Sequence, residues 1–306
     1  MKNRHFAVID LGSNTFHLLI IKIEDDGKHQ EVFRNRQFVG LAENGIDNIE
    51  PSTIDKAIKA IAKFKIKLDE FGINDCKVIG TAALRSAQNS SYITNKIEDA
   101  LGYPIEIIDG KREAELIFKG VSLVANIKIG NHVIIDVGGG SVEFIIIKDN
   151  KFAWAESYNI GVGVLYNNFH KSDPISAKEI DTIEEHIDNT LLRFSTQLKG
   201  LNIDSMIGAS GSFEVIEAMM GITSSPDKVT ELAIHSYLNI SNKIIQSDIT
   251  ERENNKNIPA TRVKLIVVAL ILINKALKII NPNHIQISPF ALKEGIILEY
   301  INDIQK

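Results

Sequence analysis

The sequence predicts an α/β protein of two related domains, each with a mixed sheet, and a ligand cleft between them. Two observations lead to this expectation. Short apolar runs typical of strands alternate with longer segments of helical periodicity along the 306 residues, which is enough chain for two hydrophobic cores. In addition, a hairpin-like segment in the middle of the chain has a counterpart near the N-terminus, as a duplicated unit would have.

The central hairpin spans Val133–Ile147 and reads VIIDVGGGSVEFIII. Two apolar strands flank a loop, with Asp136 before it and Glu143 after it. Glycine carries no Cβ atom, so this backbone can adopt positive φ, approach a ligand closely and present successive N–H groups to an anion. Because the two acids suit a hard divalent cation, the pattern predicts phosphate bound with a metal; the alternative is a glycine hairpin with solvated acids. The loop residues are Gly138, Gly139, Gly140 and Ser141.

The N-terminal counterpart spans Phe6–Ile21 and reads FAVIDLGSNTFHLLII. Its apolar runs coincide with those of the central hairpin on both sides of the loop. Two copies of this pattern indicate two phosphate loops that face each other across a cleft. The aligned pairs are Asp10 with Asp136, Gly12 with Gly138, Thr15 with Ser141 and His17 with Glu143. The first loop would therefore cradle phosphate with Gly12, Ser13, Asn14 and Thr15.

The pair DLGSNTFH and DVGGGSVE resembles the exopolyphosphatase / guanosine pentaphosphate phosphatase family, part of the sugar kinase–actin–chaperone ATPase superfamily. The resemblance covers most of the chain. It implies two ribonuclease H-like domains and hydrolysis of a terminal phosphoanhydride in polyphosphate or guanosine pentaphosphate. We expect Asp136 and Glu143, with Asp10, to hold Mg²⁺, since magnesium combines few carboxylates with phosphate oxygens and water.

Arg85 follows a short buried strand in the segment GTAALRSAQN, residues 80–89. Its guanidinium can grip a phosphate through two hydrogen bonds, or it can be a surface arginine that caps the next helix. The family has a similar stretch, usually with Thr-Ser-Ala before Leu-Arg, and this resemblance favours phosphate contact. Ala82 departs from that pattern, so one hydroxyl is lost.

Glu113 lies in the first turn of a helix that begins near Gly110. Acids are common there because they interact favourably with the helix dipole. The family has Gly-x-Glu-Glu-Ala at this place, and its second glutamate is the catalytic base, which implies that role for Glu113. Arg112 replaces the preceding acid, and a cation beside Glu113 would lower its pKa. Lys264 is another departure from the family pattern. Arg262 matches a family arginine, and the family has an acid two residues after it, where this chain has Lys264.

Composition limits the classes of function. The 44% hydrophobic and 24% charged content is that of a soluble globular protein. The net charge of −5 argues against a general nucleic-acid binder. Cys76 is the single cysteine, so one chain forms no disulfide. With no signal peptide and no apolar run long enough for a bilayer, we expect a cytoplasmic protein that is not membrane-bound, with a homodimer as one option.

The predicted domains are residues 1–126 and 127–306, with the last helix packing back on the first domain. We predict a turn at Asp25–Gly27, a helix capped by Ser52, a capping box at Ser176 and a helix over Ile258–Ile279. Longer family members add C-terminal helical domains that help to hold long chains. Because this sequence stops at Lys306, we expect a short polyphosphate or the nucleotide as substrate.

Two other functions fit the same fold. One is a sugar or acetate kinase of the superfamily, which would need an acceptor pocket and a catalytic aspartate in its second domain; the sequence shows neither. The other is a catalytically weak or inactive protein that binds polyphosphate or the alarmone nucleotide. The departures at Ala82, Arg112 and Lys264 favour this second alternative.

Overall fold

A computed structural model describes residues 4–24, 28–43, 45–223 and 225–305, so the turn predicted at Asp25–Gly27 lies outside the described residues. The chain forms two mixed sheets. The strands of the first sheet are β1 (Arg4–Leu11), β2 (Thr15–Ile23), β3 (His29–Phe38), β4 (Cys76–Gly80) and β5 (Ile105–Ile107). They lie in the order β3-β2-β1-β4-β5, with antiparallel pairing on the β2 side of β1 and parallel pairing on the β4 side.

The second sheet repeats this arrangement and adds one edge strand. Its strands are β6 (Asn131–Val137), β7 (Val142–Lys148), β8 (Lys151–Tyr158), β9 (Ser205–Ala209), β10 (Thr230–Leu232) and β11 (His284–Ile287). The order is β10-β11-β9-β6-β7-β8, again with an antiparallel side (β6-β7-β8) and a parallel side (β6-β9-β11). In the ladders, Asp10 pairs with His17 and Asp136 pairs with Glu143, which confirms the alignment of the two hairpins.

Twelve helices surround and separate the sheets in the described part of the chain. The first seven are α1 (Pro51–Glu70), α2 (Ala82–Ser86), α3 (Ser90–Leu101), α4 (Gly110–Ser122), α5 (Val162–Phe169), α6 (Ala177–Thr190) and α7 (Leu192–Gln197). The others are α8 (Gly211–Met219), α9 (Ile234–Gln246), α10 (Ile249–Glu253), α11 (Ile266–Ile280) and α12 (Leu292–Ile304). None of the described helices is both long and apolar enough to cross a membrane.

The apolar side chains form three cores, one outside each sheet and one between them. The outer core of the first sheet includes Ile9, and that of the second includes Ile135. The core between the sheets contains Val8 and Ile134 from the sheets together with side chains of α4 and α12. Side chains alternate along a strand, so Asp10 shares the inner face with Val8, and Asp136 shares it with Ile134. Alternation thus turns both aspartates toward the space between the sheets.

The last helix, α12, packs on α4, which carries Glu113. The two helix backbones approach closely because glycine lies on each side of the contact. A Cβ atom on Gly120 would lie 1.9 Å from the Ala291 carbonyl oxygen, and one on Gly295 would lie 1.9 Å from that of Leu116. Beyond this crossing, Glu299 of α12 accepts hydrogen bonds from Arg112 and Lys119 of α4. The division of the chain at residue 126 stays a prediction.

Two local predictions were wrong. The first helix begins at Pro51, with Glu50 as N-cap and no side-chain cap, so Ser52 is not the capping residue. Proline fits this first position because its missing N–H has no helical partner there. The helix predicted from Ile258 begins at Ile266 and is preceded by turns. The capping box at Ser176 and Glu179 is confirmed, with both reciprocal hydrogen bonds present.

Candidate active site

A cavity lies between the two hairpin loops, at the ends of β1 and β6. It collects most of the residues that the sequence predicts for the site. Those that line it are Asp10, Gly12, Ser13, Asn14, Thr15, Glu113, Asp136, Gly138, Gly139, Ser141 and Glu143. Arg85 and Gly140 do not line it. Gly140 instead faces the first loop and α2, since an added Cβ atom would be 2.8 Å from the Ser13 hydroxyl oxygen and 3.2 Å from the Ala82 Cβ.

The two loops have the same turn geometry. A Cβ atom on Gly12 would lie 2.8 Å from the Thr15 carbonyl oxygen, and one on Gly138 would lie 2.9 Å from that of Ser141. The Gly138 N–H also donates to the Ser141 carbonyl at 3.0 Å. The expectation of positive φ in the glycine loop was wrong, since none of its glycines adopts the left-handed conformation. Close approach, rather than backbone conformation, is what requires glycine there.

The loops touch each other across the cavity through Asn14 and Gly139. An added Cβ atom on Gly139 would lie 2.5 Å from Cγ and 2.6 Å from Nδ2 of Asn14. Asn14 is buried, yet its Nδ2 has no hydrogen-bond partner among the described residues. A buried donor without a partner costs free energy, which a ligand oxygen would recover. This unpaired amide in the cavity fits the binding of an anion.

Glu113 lies in the first turn of α4, where the Asp109 side chain caps the helix by accepting from the Arg112 N–H at 2.7 Å. Its carboxylate is buried and accepts from Arg85 at 3.0 Å. Arg85 also donates to the Ile108 carbonyl at 2.8 Å, which holds the guanidinium beside Glu113. Burial, then repulsion by Glu143, raises the pKa of Glu113 well above its usual value, and Arg85 opposes this.

The expectation that Arg112 keeps Glu113 ionised was therefore wrong. The Arg112 guanidinium binds Glu299 of α12 and lies 3.9 Å from Glu115. Adjacent residues of a helix point about 100° apart, so proximity in sequence did not bring this cation to Glu113. The cation that does contact Glu113 comes from α2 instead.

The three predicted metal ligands are held in unfavourable electrostatic surroundings. Burial raises the pKa of Asp136 to about 7, and repulsion by Glu143 adds to the rise. Burial likewise raises the pKa of Asp10 to about 6, with Asp136 adding to it and Lys293 opposing it. The pKa of Glu143 is also raised, mainly by burial, although its Oε1 accepts from Ser141 and Ser157 at 2.6 Å each.

This donor set fits a hard divalent cation. Oxygen-only carboxylate ligands suit Mg²⁺, and a cation would relieve the repulsion that raises these pKa values. Among the described residues, no group of three or more His, Cys, Asp or Glu side chains is arranged to hold a metal ion. That geometry leaves one or two carboxylates for a cation, the number that Mg²⁺ commonly takes from a protein beside substrate phosphates and water.

Further residues of the cavity carry charge or strain. The Arg36 guanidinium of β3 binds both carboxylate oxygens of Glu214 on α8, at 2.6 and 3.1 Å, and so connects the two halves. Ser210 follows β9 with φ 81° and ψ 175°, a conformation that costs a non-glycine residue of order 1–3 kcal/mol and is typical of functional sites. Burial and neighbouring cations hold the pKa of His17 well below its usual range, so this ring is neutral.

Arg36, Ser210, Glu214 and Lys293 also line the cavity but are not among the site residues predicted from the sequence. A usable signal exists for two of them. Ligands of open α/β sheets bind beyond the carboxyl ends of parallel strands. Ser210 follows parallel strand β9 directly, and Lys293 follows parallel strand β11 after a short loop. The Arg36–Glu214 pair joins distant segments and has no comparable local signal.

Comparison with known proteins agrees with this geometry. The profile of the Ppx/GppA phosphatase family matches residues 20–303. The chain belongs to this family. A crystal structure of an exopolyphosphatase from Cytophaga hutchinsonii superposes with a TM-score of 0.94 and 30% sequence identity, covering 98% of each chain. Together with the paired mixed sheets, this likeness confirms the predicted fold of two ribonuclease H-like halves.

Two curated relatives carry the names of the two activities of this family. A putative exopolyphosphatase of Haemophilus influenzae is 27% identical over 305 residues, which cover 99% of this chain and 93% of the relative. A guanosine-5'-triphosphate,3'-diphosphate pyrophosphatase of Vibrio vulnificus is 26% identical over 304 residues, which cover 98% of this chain but 60% of the relative. This chain thus spans about 60% of the length of the curated pyrophosphatases that it matches.

Proposed function

We propose that this protein hydrolyses terminal phosphoanhydride bonds and releases phosphate from inorganic polyphosphate, guanosine pentaphosphate or both. The observation that carries the proposal is the position of Glu113, a buried carboxylate in a cavity between two phosphate loops of equal geometry. A general base works best with a pKa near the working pH, and burial moves the pKa of Glu113 in that direction. The named activities of the relatives support the same reaction class.

The residues of this chain have separate tasks in that reaction. The two loops bind the phosphates through backbone N–H groups and through the unpaired Asn14 amide, which orients the terminal phosphoryl group. Glu113 accepts the proton of the attacking water, and the bridging oxygen leaves with the remaining phosphate chain. Phosphoryl transfer gains most from such positioning and from charge stabilisation. Arg85 opposes the rise in the pKa of Glu113 by hydrogen bonding and charge.

Mg²⁺ is the cofactor that we propose for this site. Asp136 and Glu143 would hold it, with Asp10 close by. When bound, the cation would neutralise charge on the phosphate oxygens of the substrate. Glu143 has its Oε1 occupied by Ser141 and Ser157, which orients the carboxylate and leaves Oε2 for a ligand. The cytoplasmic location and the homodimer stay predictions.

The decisive experiment measures phosphate release by the wild type and by Glu113→Gln. Substrates are polyphosphates of graded length and guanosine pentaphosphate, with Mg²⁺ present. Removal of a general base typically lowers kcat by about 10²–10⁴-fold. We expect such a loss with unchanged substrate affinity. Glu115→Gln is the matched control, since Glu115 is two residues along the same helix and does not line the cavity; it should change little.

Each alternative gives a different result in this assay. A kinase would consume ATP in the presence of a sugar panel and leave polyphosphate intact. A binding protein without activity would bind polyphosphate or the nucleotide tightly and release no phosphate. Wild-type hydrolysis rates in Glu113→Gln would contradict the assignment of Glu113 while leaving the reaction class in place. The graded substrates then decide between short polyphosphate, long polyphosphate and the nucleotide.

A further inference from the structure

Lys293 projects into the cavity from the second position of α12. The segment that leads into this helix lines the cavity through Ser288, Pro289, Ala291, Leu292 and Lys293. On either side of Lys293, Leu292 and Glu294 are 5% exposed, whereas Lys293 itself is only partly buried. The helix is thus anchored by its buried neighbours and presents the lysine side chain to the cavity.

In the described part of the chain, three other cations near the cavity are already engaged, whereas the ammonium of Lys293 and the guanidinium of Arg262, which both line it, are not. Arg34 binds Glu294 at 3.1 Å, Arg36 binds Glu214 and Arg85 binds Glu113. Within the described residues, Lys293 forms no ion pair and its ammonium donates no hydrogen bond. A lysine ammonium has three donors on a flexible stem. Here those donors are available to a ligand.

The charge of Lys293 acts on both hairpins at once. It lowers the pKa of Asp10 at the first loop and that of Asp136 at the second. It also lowers the pKa of His17 on β2 and that of Glu214 on α8. The two aspartates belong to opposite sheets, and Lys293 lines the cavity between the loops together with both of them. That is also where the phosphates of a bound substrate would lie.

The position of Lys293 is fixed relative to Glu113. Lys293 is at the start of α12 and Glu113 at the start of α4, and these helices cross where Gly120 and Gly295 exclude side chains. Glu299, in the later part of α12, binds Arg112 in the first turn of α4 and Lys119 in its last turn. The proposed base and the free ammonium are therefore carried by one rigid helix pair.

We propose that Lys293 is a further substrate-contacting residue, whose ammonium binds the non-bridging oxygens of the phosphoryl group that is attacked. This inference rests on the proposed function. Water adds to phosphorus, its proton passes to Glu113, and the bridging P–O bond breaks with its electron pair on the departing phosphate. The Lys293 ammonium compensates the charge on the equatorial oxygens. In the free enzyme the same charge compensates the two aspartates.

The test uses Lys293→Met, which keeps the length of the side chain and removes its charge, and Lys293→Arg, which keeps the charge. Loss of one preorganised donor to a transition state typically lowers kcat by about 10²–10³-fold. We expect that loss on tripolyphosphate for Lys293→Met and partial recovery for Lys293→Arg. Lys278→Met is the control, since Lys278 is a largely exposed lysine on α11 that does not line the cavity.

A binding measurement separates this inference from the proposed function. Calorimetry with tripolyphosphate compares Glu113→Gln with the double variant Glu113→Gln/Lys293→Met, so that turnover does not interfere. We expect at least tenfold weaker binding without the lysine and a shallower dependence of affinity on salt. If wild type releases phosphate but Lys293→Met retains its kcat and affinity, the inference fails and the proposed function stands. If wild type releases none, the proposed function fails, and unchanged binding overturns the role of Lys293 as well. Lys293→Gln provides a second charge-free variant should the methionine variant not fold.

Discussion

Gly139 offers the most direct test of how the two loops form one phosphate site. Replacing it by alanine adds one methyl group at the point where the loops touch. That Cβ atom would lie 2.5 Å from Asn14 Cγ, 2.6 Å from Nδ2 and 2.7 Å from Oδ1. All three atoms belong to the same side-chain amide, so rotation about its terminal bond does not remove the clash. The loop or the whole asparagine must move.

The size of the effect follows from these distances. Carbon atoms in contact prefer about 3.5–4.0 Å, so the loops must separate by about 1 Å. Overpacking of this kind costs about 1–3 kcal/mol in stability. A displacement of about 1 Å at a reacting centre can lower the rate by about 10²-fold. We therefore expect Gly139→Ala to lower kcat/KM about a hundredfold and Gly139→Val to lower it further.

The assay is phosphate release from polyphosphate, with the melting temperature recorded in parallel. Thr15→Ala serves as the comparison, because it removes a hydroxyl from the first loop without adding bulk. Its loss of activity should be much smaller than that of either Gly139 variant. Equal or reversed losses, or wild-type activity in Gly139→Ala, would show that the loops do not need this close contact for catalysis.

Three further predictions concern charge and packing. Arg85→Met should raise the pKa of Glu113 further and move the acid limb of the kcat/KM profile to higher pH; a higher KM with an unmoved limb would instead indicate phosphate contact by Arg85. Asp136→Asn should abolish metal-dependent turnover but, without metal, stabilise the fold at pH 8. The carboxyl pKa is raised from 3.8 to about 7, a shift that corresponds to about 4 kcal/mol as an upper bound on the gain. Below about pH 4 the Asp136 carboxyl is protonated in both the folded and the unfolded protein. The gain in the free energy of unfolding should therefore vanish there in denaturant titrations, and a gain that is constant with pH would contradict the raised pKa as its cause. Gly120→Ala, which places Cβ 1.9 Å from the Ala291 carbonyl oxygen, should lower the free energy of unfolding by about 1–3 kcal/mol, and an unchanged denaturation midpoint would argue against the close helix crossing.

The site could be predicted from sequence wherever it depends on one short segment. Each hairpin carries its strands, its glycines and its acid within about twenty residues, a span over which periodicity and turn chemistry operate. Comparing the two copies placed Asp10 opposite Asp136, and the strand ladders confirm it by pairing Asp10 with His17 and Asp136 with Glu143. Alternation along β1 and β6 then sends both aspartates to the inner face.

Contacts between distant segments could not be predicted in this way. Arg112 was expected to act on its neighbour Glu113, but it binds Glu299, 187 residues further along the chain. Arg85 was expected to face phosphate, whereas its guanidinium lies against Glu113. The partners of a long polar side chain are brought near it by tertiary packing. Its contacts therefore cannot be predicted from the sequence of one segment.

The layer formed by α4 and α12 has a consequence for how substrate enters. Apolar side chains run without a break from the first sheet through these helices to the second sheet, and α4 contacts β7 and β8 as well as α12. Hinge-like separation of the halves would expose this layer to water. The free-energy cost would be about 25 cal/mol for each Å² of apolar surface exposed. Sliding of the sheets over the helix layer keeps it covered. We therefore expect substrate to enter through a shear motion. In that motion Glu113 and Lys293 move together, because both belong to the α4–α12 layer.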